Sequence, residues 1–477
     1  MTRAALLVVV ALGAAGCGPA VPPATASAYA RLRVPAAECR APGPATVTPE
    51  AMRADWAELE HILRRGYAGF TVVADEAAWA RAFEEGRAAI PNEPIPALAF
   101  RDLLVERMRF ADDNHFGFWV RGADGQRRWR STSAHHLAHL SEATFEARDG
   151  GWVDAEGRAL LTCGDQVRPT WSDGAPSARL VVLSVEPTEA IECRARGPEG
   201  EATISYALRP VARDVDRGPA FERREGAAPW LRLRTLGMAR RDALDRFVAS
   251  AEAARDASVV VLDVRGNGGG SDRFLLAWFA ALTSQDLSYF DTLRVSSDVE
   301  LQGALTFWTC EAALAGGDAA GDAWMRERIA QATRALDTAM RERGPYVDRI
   351  EGTYTEPGQA PAPFAGRLVL VTDRACGSAC ETSVLLARQL PGTIVVGENT
   401  EGTMKVGELR YYRLPRTGVW TSVGRRAHRD PATGGFPEGI GYAPDVWLDG
   451  ARVEADVEAI VSCLGDPSCA SGLPHSR

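Results

Sequence analysis

The sequence predicts an α/β protein that carries an additional helical region and an additional β-rich region. Continuous apolar runs, which are typical of buried parallel strands, occupy residues 258–264, 368–372 and 393–397. Amphipathic helical spacing dominates residues 46–120. Short alternating runs, separated by Gly, Asp and Pro, dominate residues 125–215 and indicate strands with one buried face.

The composition is that of an ordinary globular protein long enough for two or three domains. The chain has 477 residues, of which 46% are hydrophobic and 25% are charged, and its formal net charge is -9. An acidic chain without a basic stripe and interleaved aromatics has no general attraction for a phosphate backbone. We therefore expect no nucleic-acid partner.

The first residues have the pattern of an export signal. Thr2-Arg3 is followed by an apolar run over residues 4–15, which is too short to span a bilayer, and by Cys17. Small residues before a cysteine resemble the bacterial lipobox, although the usual leucine three residues before it is Ala14 here. We predict that Cys17 is the lipid anchor of an exported cell-envelope protein, on the periplasmic side or at the cell surface. Ordinary signal-peptide cleavage without a lipid is the alternative.

The cysteine count fits an oxidising compartment. Of nine cysteines, eight remain for disulfides if Cys17 carries the lipid. We expect Cys463 to pair with Cys469, and Cys163 with Cys193 across two strands. Zinc is the competing use of such cysteines, but the chain has no CxxC pair, so we expect no metal.

These patterns divide the chain into six segments. They are a lipoprotein signal peptide (1–17), a Pro- and Ala-rich tether (18–45), an N-terminal helical domain (46–120), a β-rich module whose position suggests a PDZ-like fold (121–220), an α/β core with a helical insertion near 300–345 (221–450), and a C-terminal tail (451–477). Within them we predict helices over Glu50–Tyr67, 97–110 and Asp242–Arg255, and a strand that begins at Trp230.

Two loops follow buried strands, where ligands bind in open α/β sheets. The first, Asp263–Ser271, contains three consecutive glycines whose N–H groups could receive a phosphate or an oxyanion. By itself it could equally be a tight turn. The second, Asp373–Glu381, presents Ser378 at the start of a helix, as a nucleophile turn does. Its alternative is an N-cap, with Glu381 completing a capping box.

Four motifs in a fixed order extend this pattern. They are Asp-x-Arg-x-Asn-x-Gly-Gly (263–270), Gly-Ser-Ala-x-Glu (377–381), Val-Gly-Glu-Asn-Thr-x-Gly (396–402) and Pro-Glu-Gly-Ile-Gly-Tyr-Ala-Pro-Asp (437–445). Over residues 230–450 the chain resembles the serine-peptidase family of C-terminal processing (tail-specific) peptidases and the tricorn core protease. The helical region, ending in Asp-Asn-His at 113–115, resembles the tricorn-like branch. The resemblance implies a crotonase-like (ClpP/crotonase) core.

The resemblance also implies roles for individual residues. Ser378 is the expected nucleophile, and the oxyanion donors are the N–H of Gly269 or Gly270 together with that of Ala379. It implies no cofactor.

The resemblance offers two candidates for the base. One branch uses a lysine, whose position falls on Thr403, two residues before Lys405, the only lysine in the chain. The tricorn-like branch uses a histidine, here His115, oriented by a polar network that includes Glu438. A serine precedes that histidine in tricorn, where this chain has Asn114. We favour histidine because imidazole is poised near neutral pH, whereas a lysine must first be desolvated.

The predicted function is therefore a serine-type endopeptidase that hydrolyses polypeptides through an acyl-enzyme. Two alternatives remain open at this stage: a non-catalytic lipoprotein that binds a ligand or peptide on the same fold, and an esterase on the same serine. We interpret His135, His136 and His139 as surface or packing residues rather than metal ligands. The oligomeric state is left open.

Overall fold

The computed structural model describes residues 34–172, 174–211, 218–315, 317–430, 434–450 and 452–465. The predicted signal peptide with Cys17, most of the tether, and Cys469 of the predicted C-terminal disulfide lie outside these residues. Within them, no helix is both long enough and apolar enough to cross a membrane.

The N-terminal region contains three helices and a two-stranded ladder. In chain order these are β1 (Thr46–Val47), α1 (Pro49–Gly66), α2 (Glu76–Ala88), β2 (Ile95–Pro96) and α3 (Ala97–Met108). Helix α1 begins where Thr48 accepts a hydrogen bond from Ala51 N–H and Pro49 occupies the first turn. The predicted helices over 50–67 and 97–110 are thus confirmed to within a few residues.

Nine strands follow, of which β4 to β11 lie in the region where the alternating runs predict strands, whereas β3 lies in the segment predicted to be helical. They are β3 (Gly117–Arg121), β4 (Arg127–Ser131), β5 (Leu137–Arg148), β6 (Gly151–Asp154), β7 (Ala159–Leu160), β8 (Val167–Ser172), β9 (Ala175–Ser184), β10 (Ala190–Gly197) and β11 (Gly200–Pro210). Strands β5 to β11 pair antiparallel with one another. The disulfide Cys163–Cys193 forms here, which confirms that predicted pair.

The remaining elements alternate between strands and helices. They are β12 (Phe221–Arg224), β13 (Trp230–Leu233), α4 (Arg241–Arg255), β14 (Val259–Asp263), α5 (Arg273–Leu282), β15 (Leu287–Ser297), α6 (Asp298–Leu314), α7 (Ala319–Glu342), β16 (Val347–Glu356), β17 (Arg367–Thr372), α8 (Thr382–Ala387), β18 (Ile394–Gly397), β19 (Val406–Arg413), β20 (Trp420–Arg429), β21 (Val446–Trp447) and α9 (Val453–Leu464). Strands β13, β14, β17, β18 and β21 lie parallel in that order.

The parallel strands are apolar on both faces because both faces are covered. Leu262 of β14 and Leu370 of β17 face the core that contains α4 and α5. Val261 and Val371 face a second core, which contains α9. Strand β8 joins β21, so the parallel sheet continues into the β-rich region as one sheet of thirteen strands. The mixed α/β fold is therefore as predicted.

A second sheet is not anticipated by the sequence patterns. Its strands run in the order β16, β15, β20, β3 and β4, with β19 paired to β20, and all these pairs are antiparallel. The predicted helical insertion corresponds to α6 and α7, which β15 and β16 flank. Helices α1 to α3 pack on this sheet in one core, in which Trp56 of α1 lies with Val295 of β15 and Val423 of β20. The N-terminal helices therefore share a core with strands more than two hundred residues away.

Candidate active site

The predicted nucleophile, Ser378, lies in the turn between β17 and α8. It begins a short 3-10 helix, Ser378–Cys380, that leads into α8. Its backbone is left-handed, with a φ of 54°, which a residue with a Cβ adopts only at an energetic cost. The side chain is partly exposed, and its hydroxyl makes no hydrogen bond to another described residue. A strained turn therefore presents this hydroxyl at the carboxyl edge of the parallel sheet.

The N-cap interpretation of Ser378 is wrong. The cap position is Gly377, and no side chain caps this turn. Only the reciprocal half of the predicted capping box forms, because Ser378 N–H donates to Glu381 Oε2 at 3.2 Å. The serine hydroxyl is consequently not committed to holding the helix.

Glu381 is a buried centre of hydrogen bonds rather than a cap alone. Besides Ser378 N–H, its carboxylate accepts the Thr400 hydroxyl at 2.6 Å, Gly402 N–H at 3.0 Å and Thr403 N–H at 2.7 Å. Burial raises the pKa of Glu381 to about 7, although these donors oppose the rise. Since one oxygen accepts both Ser378 N–H and Thr403 N–H, Glu381 fixes the nucleophile turn against residues 402 and 403.

The glycine loop after β14 is bonded to the nucleophile turn at two points. Gly266 N–H donates to the Asp373 carboxylate at 3.0 Å, and Gly377 N–H donates to the Asn267 carbonyl at 3.1 Å. The Asn267 side chain is buried, and its Nδ2 donates to the Leu233 carbonyl at 3.1 Å. The two predicted loops therefore form one unit at the ends of neighbouring strands.

Gly269 lies directly against the nucleophile. A Cβ placed on Gly269 would be 3.0 Å from Ser378 Cβ and 3.1 Å from Ala379 N. Its φ of 91° also favours glycine. However, its own N–H donates to Asn267 Oδ1 at 3.0 Å. Gly269 thus allows a close approach but does not offer a free donor.

Gly270 and Ala379 have N–H groups with no acceptor among the described residues. Gly270 forms a parallel bridge with Leu236, and the bridge is made by the Gly269 carbonyl and the Ser271 N–H. Because these flanking groups face Leu236, the N–H of Gly270 points away from it. Of the three predicted oxyanion donors, Gly270 and Ala379 are therefore the two with an uncommitted N–H.

The predicted base, His115, is buried and held through its Nδ1 nitrogen. Nδ1 lies 2.5 Å from the Val406 carbonyl. Because a carbonyl oxygen only accepts, Nδ1 carries the proton and Nε2 of the neutral ring is a proton acceptor. The backbone N–H of His115 donates to Asp113 Oδ1 at 2.8 Å, and Tyr67 donates to Asp113 Oδ2 at 2.6 Å.

Residues 402–406, which we call the strap, connect the nucleophile turn to the histidine. The first two N–H groups of the strap donate to Glu381, as described above. The next two donate to Glu438 Oε2, at 3.1 and 2.9 Å. Glu438 Oε1 accepts Asn114 N–H at 2.8 Å, and Asn114 Nδ2 donates to the Gly402 carbonyl at 2.7 Å. The carbonyl of Val406, the last residue of the strap, accepts the hydrogen bond from His115 Nδ1. The strap therefore joins both sides of the site.

Glu438 acts on the histidine through the backbone. Its carboxylate bonds Asn114 N–H and the strap, whereas the ring of His115 bonds the Val406 carbonyl. Burial and the nearby Asp113 carboxylate raise the pKa of Glu438. A carboxylate–imidazole contact is therefore not part of this arrangement.

Lys405 lies at the protein surface, whereas Thr403 lies at the position where the resemblance would place a lysine base. Lys405 Nζ donates to the Asp112 carbonyl and lies 3.4 Å from the Asp112 carboxylate. Its side chain is therefore held by an ion pair at the protein surface. Thr403 is buried beside Glu381, and its hydroxyl has no hydrogen-bond partner in the described part of the chain. The lysine position implied by the resemblance thus holds a threonine whose N–H shares the acceptor Glu381 Oε2 with Ser378 N–H.

One residue of the site escaped the sequence analysis. His428 Nδ1 lies 2.7 Å from the Met404 carbonyl, His428 N–H donates to the Lys405 carbonyl at 2.9 Å, and the ring stacks on Phe290. Burial lowers the pKa of His428 to about 4, so a neutral imidazole supports the strap. No local motif marks this histidine, because its role comes from strand pairing.

The three other histidines considered above are dispersed. His135 is exposed near Glu401, and His136 Nδ1 lies 3.1 Å from the Gly439 carbonyl. His139 is buried in the β-rich region, where its Nε2 accepts Thr188 N–H at 3.3 Å. Among the described residues, no group of three or more His, Cys, Asp or Glu residues has the geometry of a metal site.

Comparison with known proteins shows what part of the chain is similar to. The sequence model of peptidase family S41 matches residues 230–447, which include the glycine loop, Ser378, the strap and Glu438. A search of curated protein sequences found no match.

The solved structures that match this chain include three proteases. Mature CPAF in complex with lactacystin has 14% identity and a TM-score of 0.46, covering 87% of this chain and 98% of its own. The photosystem II D1 C-terminal processing protease has 16% identity and a TM-score of 0.39, covering 88% and 98%. The tricorn protease has 13% identity and a TM-score of 0.40, covering 88% of this chain and 37% of its own. Similarities this low do not support a transfer of residue roles.

Proposed function

We propose that this chain is a serine endopeptidase of the cell envelope that forms an acyl-enzyme on Ser378, and the match of residues 230–447 to the model of peptidase family S41 supports this. One observation carries the proposal. The strained Ser378 turn presents a free hydroxyl beside two uncommitted N–H groups, those of Gly270 and Ala379. A hydroxyl next to two free amides is the arrangement that acyl transfer requires.

The proposed reaction begins with proton transfer. His115 Nε2 takes the proton of the Ser378 hydroxyl as Oγ attacks the carbonyl carbon of the scissile peptide bond. The N–H groups of Gly270 and Ala379 stabilise the negative charge that develops on the carbonyl oxygen. His115 then donates its proton to the leaving amine, and water hydrolyses the ester on Ser378 by the same steps.

Two carboxylates hold the reacting groups in register. Glu381 fixes Ser378 N–H against the strap, and Glu438 fixes the strap against Asn114 N–H. The Val406 carbonyl at the end of the strap accepts a hydrogen bond from His115 Nδ1, so the strap sets both the tautomer and the position of the imidazole ring. We propose these glutamates as positioning residues that do not exchange protons with the substrate.

The arrangement favours His115 over Lys405 as the base. Lys405 Nζ donates a hydrogen bond to the Asp112 carbonyl and lies 3.4 Å from the Asp112 carboxylate, so these surface groups, and not Ser378, engage the amine. The Ser–Lys dyad of the processing branch is thus disfavoured, in agreement with the tricorn-like assignment.

The experiment that tests this function is covalent labelling with a fluorophosphonate probe. The wild-type protein should be labelled on Ser378, and Ser378→Ala should lose both labelling and peptidase activity. Ser288→Ala, an exposed serine on β15, serves as the control and should behave as wild type. A wild-type protein that binds peptides but is never labelled would support the non-catalytic binding lipoprotein instead. Faster turnover of esters than of matched peptides would support the esterase.

We also propose different functions for two parts of the thirteen-stranded sheet. The parallel strands β13, β14, β17, β18 and β21 would be the crotonase-like core, and β5 to β11 a PDZ-like module that binds a substrate tail by strand addition. Peptides with one scissile sequence, but with or without an extended C-terminal tail, would test this. A KM that does not depend on the tail would contradict it.

The envelope location rests on the predicted signal and on the disulfides. Three disulfides lie within the described residues, Cys39–Cys310, Cys163–Cys193 and Cys376–Cys380, and such bonds persist in oxidising compartments. We propose that Cys17 carries the lipid. Labelling with a radioactive fatty acid in a bacterial host should mark the wild-type protein and not Cys17→Ala. Equal labelling of both would remove Cys17 as the anchor.

A further inference from the structure

The disulfide Cys376–Cys380 closes a ring around the nucleophile. The two cysteines are four residues apart, their Cα atoms lie 5.2 Å from each other, and the ring encloses Gly377, Ser378 and Ala379. These enclosed residues comprise the hydroxyl and one of the two oxyanion donors of the proposed site. The disulfide thus closes a covalent ring that contains the proposed nucleophile and one proposed oxyanion donor.

The ring encloses the strained part of the backbone. Ser378 has a φ of 54°, a conformation that an L-residue leaves readily unless its surroundings prevent it. Relaxation of Ser378 to a right-handed conformation would rotate the peptide that follows it, which contains the N–H of Ala379. Loss of the strained conformation would therefore move the hydroxyl and the oxyanion donor together.

Hydrogen bonds hold the backbone of the ring at every residue except Ala379, whose N–H has no acceptor among the described residues. Cys376 N–H donates to the Asp373 carbonyl, and the Cys376 carbonyl accepts Glu401 N–H at 3.0 Å. Cys380 N–H donates to the Gly377 carbonyl, also at 3.0 Å. In the middle, Gly377 N–H donates to the Asn267 carbonyl at 3.1 Å, and Ser378 is bonded to Glu381 through both its carbonyl and its N–H, at 2.8 and 3.2 Å. The N–H of Ala379 makes no hydrogen bond with a described residue. Both cysteines are fully buried in the core under α8, so the bond is anchored at its two sulfurs.

From this arrangement we propose that Cys376 and Cys380 are positioning residues of the peptidase, whose disulfide keeps Ser378 and Ala379 N–H in catalytic register. The proposal rests on the function proposed above. The other two disulfides contrast with it. Cys163–Cys193 joins strands of the β-rich region, and Cys39–Cys310 joins the segment before β1 to α6. The Cys163–Cys193 loop contains no residue of the site, and the Cys39–Cys310 loop, which closes over a sequence separation of 271 residues, is too long to fix the local backbone.

The test compares two double variants that each lack one disulfide. Cys376→Ala/Cys380→Ala should lower kcat and the rate of fluorophosphonate labelling by about 10- to 100-fold, short of the 10²–10³ typical of a lost oxyanion donor. Its KM should stay within about twofold of wild type, because the ring holds reacting groups and not the substrate. The control, Cys163→Ala/Cys193→Ala, should keep kcat even if its Tm falls. Wild-type kcat in the first variant, with a lower Tm only, would overturn the proposal.

A second measurement tests the proposal even if Cys376→Ala/Cys380→Ala folds poorly. A phosphine reductant applied to the folded control variant converts a disulfide and one water into two thiols and a phosphine oxide. Alkylation and peptide mapping then give the fraction of molecules in which Cys376–Cys380 is open. The labelling rate should fall in proportion to that fraction and return on reoxidation. Unchanged labelling with this disulfide open would overturn the proposal, whereas absence of labelling in untreated wild type would instead overturn the proposed function.

Discussion

The turn that carries Ser378 (373–381) and the turn that carries His115 (111–116) are built in different ways. The nucleophile turn is held mainly by residues close to it in sequence, through a disulfide between residues 376 and 380 and a hydrogen bond from Ser378 N–H to Glu381. The glycine loop adds contacts from about a hundred residues earlier in the chain. The base turn is held by residues far away in sequence. The Val406 carbonyl accepts a hydrogen bond from the imidazole of His115, and Glu438 accepts one from Asn114 N–H. Tyr67 donates to the carboxylate of Asp113, which in turn accepts the backbone N–H of His115.

This difference explains how the site divides its tasks. A nucleophile must keep a strained conformation, and short-range constraints do so at the smallest cost in loop closure. The proposed base, His115, precedes β3 of the second sheet, whereas the proposed nucleophile follows β17 of the parallel sheet, so long-range contacts place the histidine. The strap is where the two systems meet, because Glu381 and Glu438 bind successive N–H groups along it.

The largest expected effect comes from removing the base. His115→Ala should lower kcat by about 10²–10⁴, because general base catalysis by histidine contributes about that much, and it should change KM little. Peptide hydrolysis and fluorophosphonate labelling should fall together. The control is His139→Ala, which removes a buried histidine of the β-rich region and should alter stability rather than kcat. Wild-type kcat in His115→Ala would assign the base elsewhere.

Two adjacent glycines sharpen the comparison on the nucleophile side. A Cβ at Gly269 would lie 2.7 Å from the Gly377 carbonyl and 3.0 Å from Ser378 Cβ, whereas a Cβ at Gly268 meets nothing within 4 Å. Gly269→Ala should therefore displace the nucleophile turn and lower kcat by about 10²–10³, as for a lost oxyanion donor. Gly268→Ala should stay within about twofold of wild type. Equal kcat for the two variants would show that the glycine loop does not approach the reacting atoms.

The nucleophile side of the site was predictable from sequence because its signals are local. Buried strands leave continuous apolar runs, and a serine and a glycine run directly after two such strands indicated the loops that meet. The Cys376–Cys380 disulfide was not predicted, although the two cysteines are visible around the serine in the sequence. The free N–H groups also could not be assigned before the bond from Gly269 to Asn267 was seen.

On the side of the proposed base, the sequence indicated which residue to consider but not which groups hold its side chain. The resemblance singled out His115, but a backbone carbonyl such as that of Val406 has no sequence signature as a partner. The second sheet was missed for the same reason. Strand β3 pairs with β20 through contacts about three hundred residues apart, as between Gly117 and Ser422, and pattern matching within a window cannot detect them.

A smaller effect is expected on stability as a function of pH. Burial raises the pKa of Glu381 from 4.5 to about 7 in the folded protein. A pKa raised by folding stabilises the fold fully below the unfolded value, and this contribution is lost as pH rises toward the folded value. The free energy of unfolding of wild type should therefore fall between pH 4.5 and 7, by roughly 1–3 kcal/mol relative to Glu381→Gln.

Urea unfolding of the two proteins across this pH range measures the difference. The variant also loses an acceptor for Ser378 N–H, so it should be less stable than wild type throughout, and only the slope of stability against pH tests the titration. Glu84→Gln, at an exposed position on α2, controls for the loss of one negative charge. Parallel pH profiles for wild type and Glu381→Gln would show that Glu381 stays ionised.

The smallest expected effect is at Lys405, and it separates the two possible bases. Lys405 forms an ion pair with Asp112 at the surface, and such pairs contribute about 1 kcal/mol or less. Lys405→Met should therefore keep kcat within about twofold. Asp112→Asn is the matched variant, since asparagine tolerates the left-handed φ of 44° at this position while losing the charge, and it should also keep kcat. A loss of more than about 100-fold in Lys405→Met alone, a loss typical of a missing general base, would mean that the amine reaches Ser378 during turnover. The base would then be supplied by the strap itself, and the long-range contacts around His115 would serve the fold rather than the chemistry.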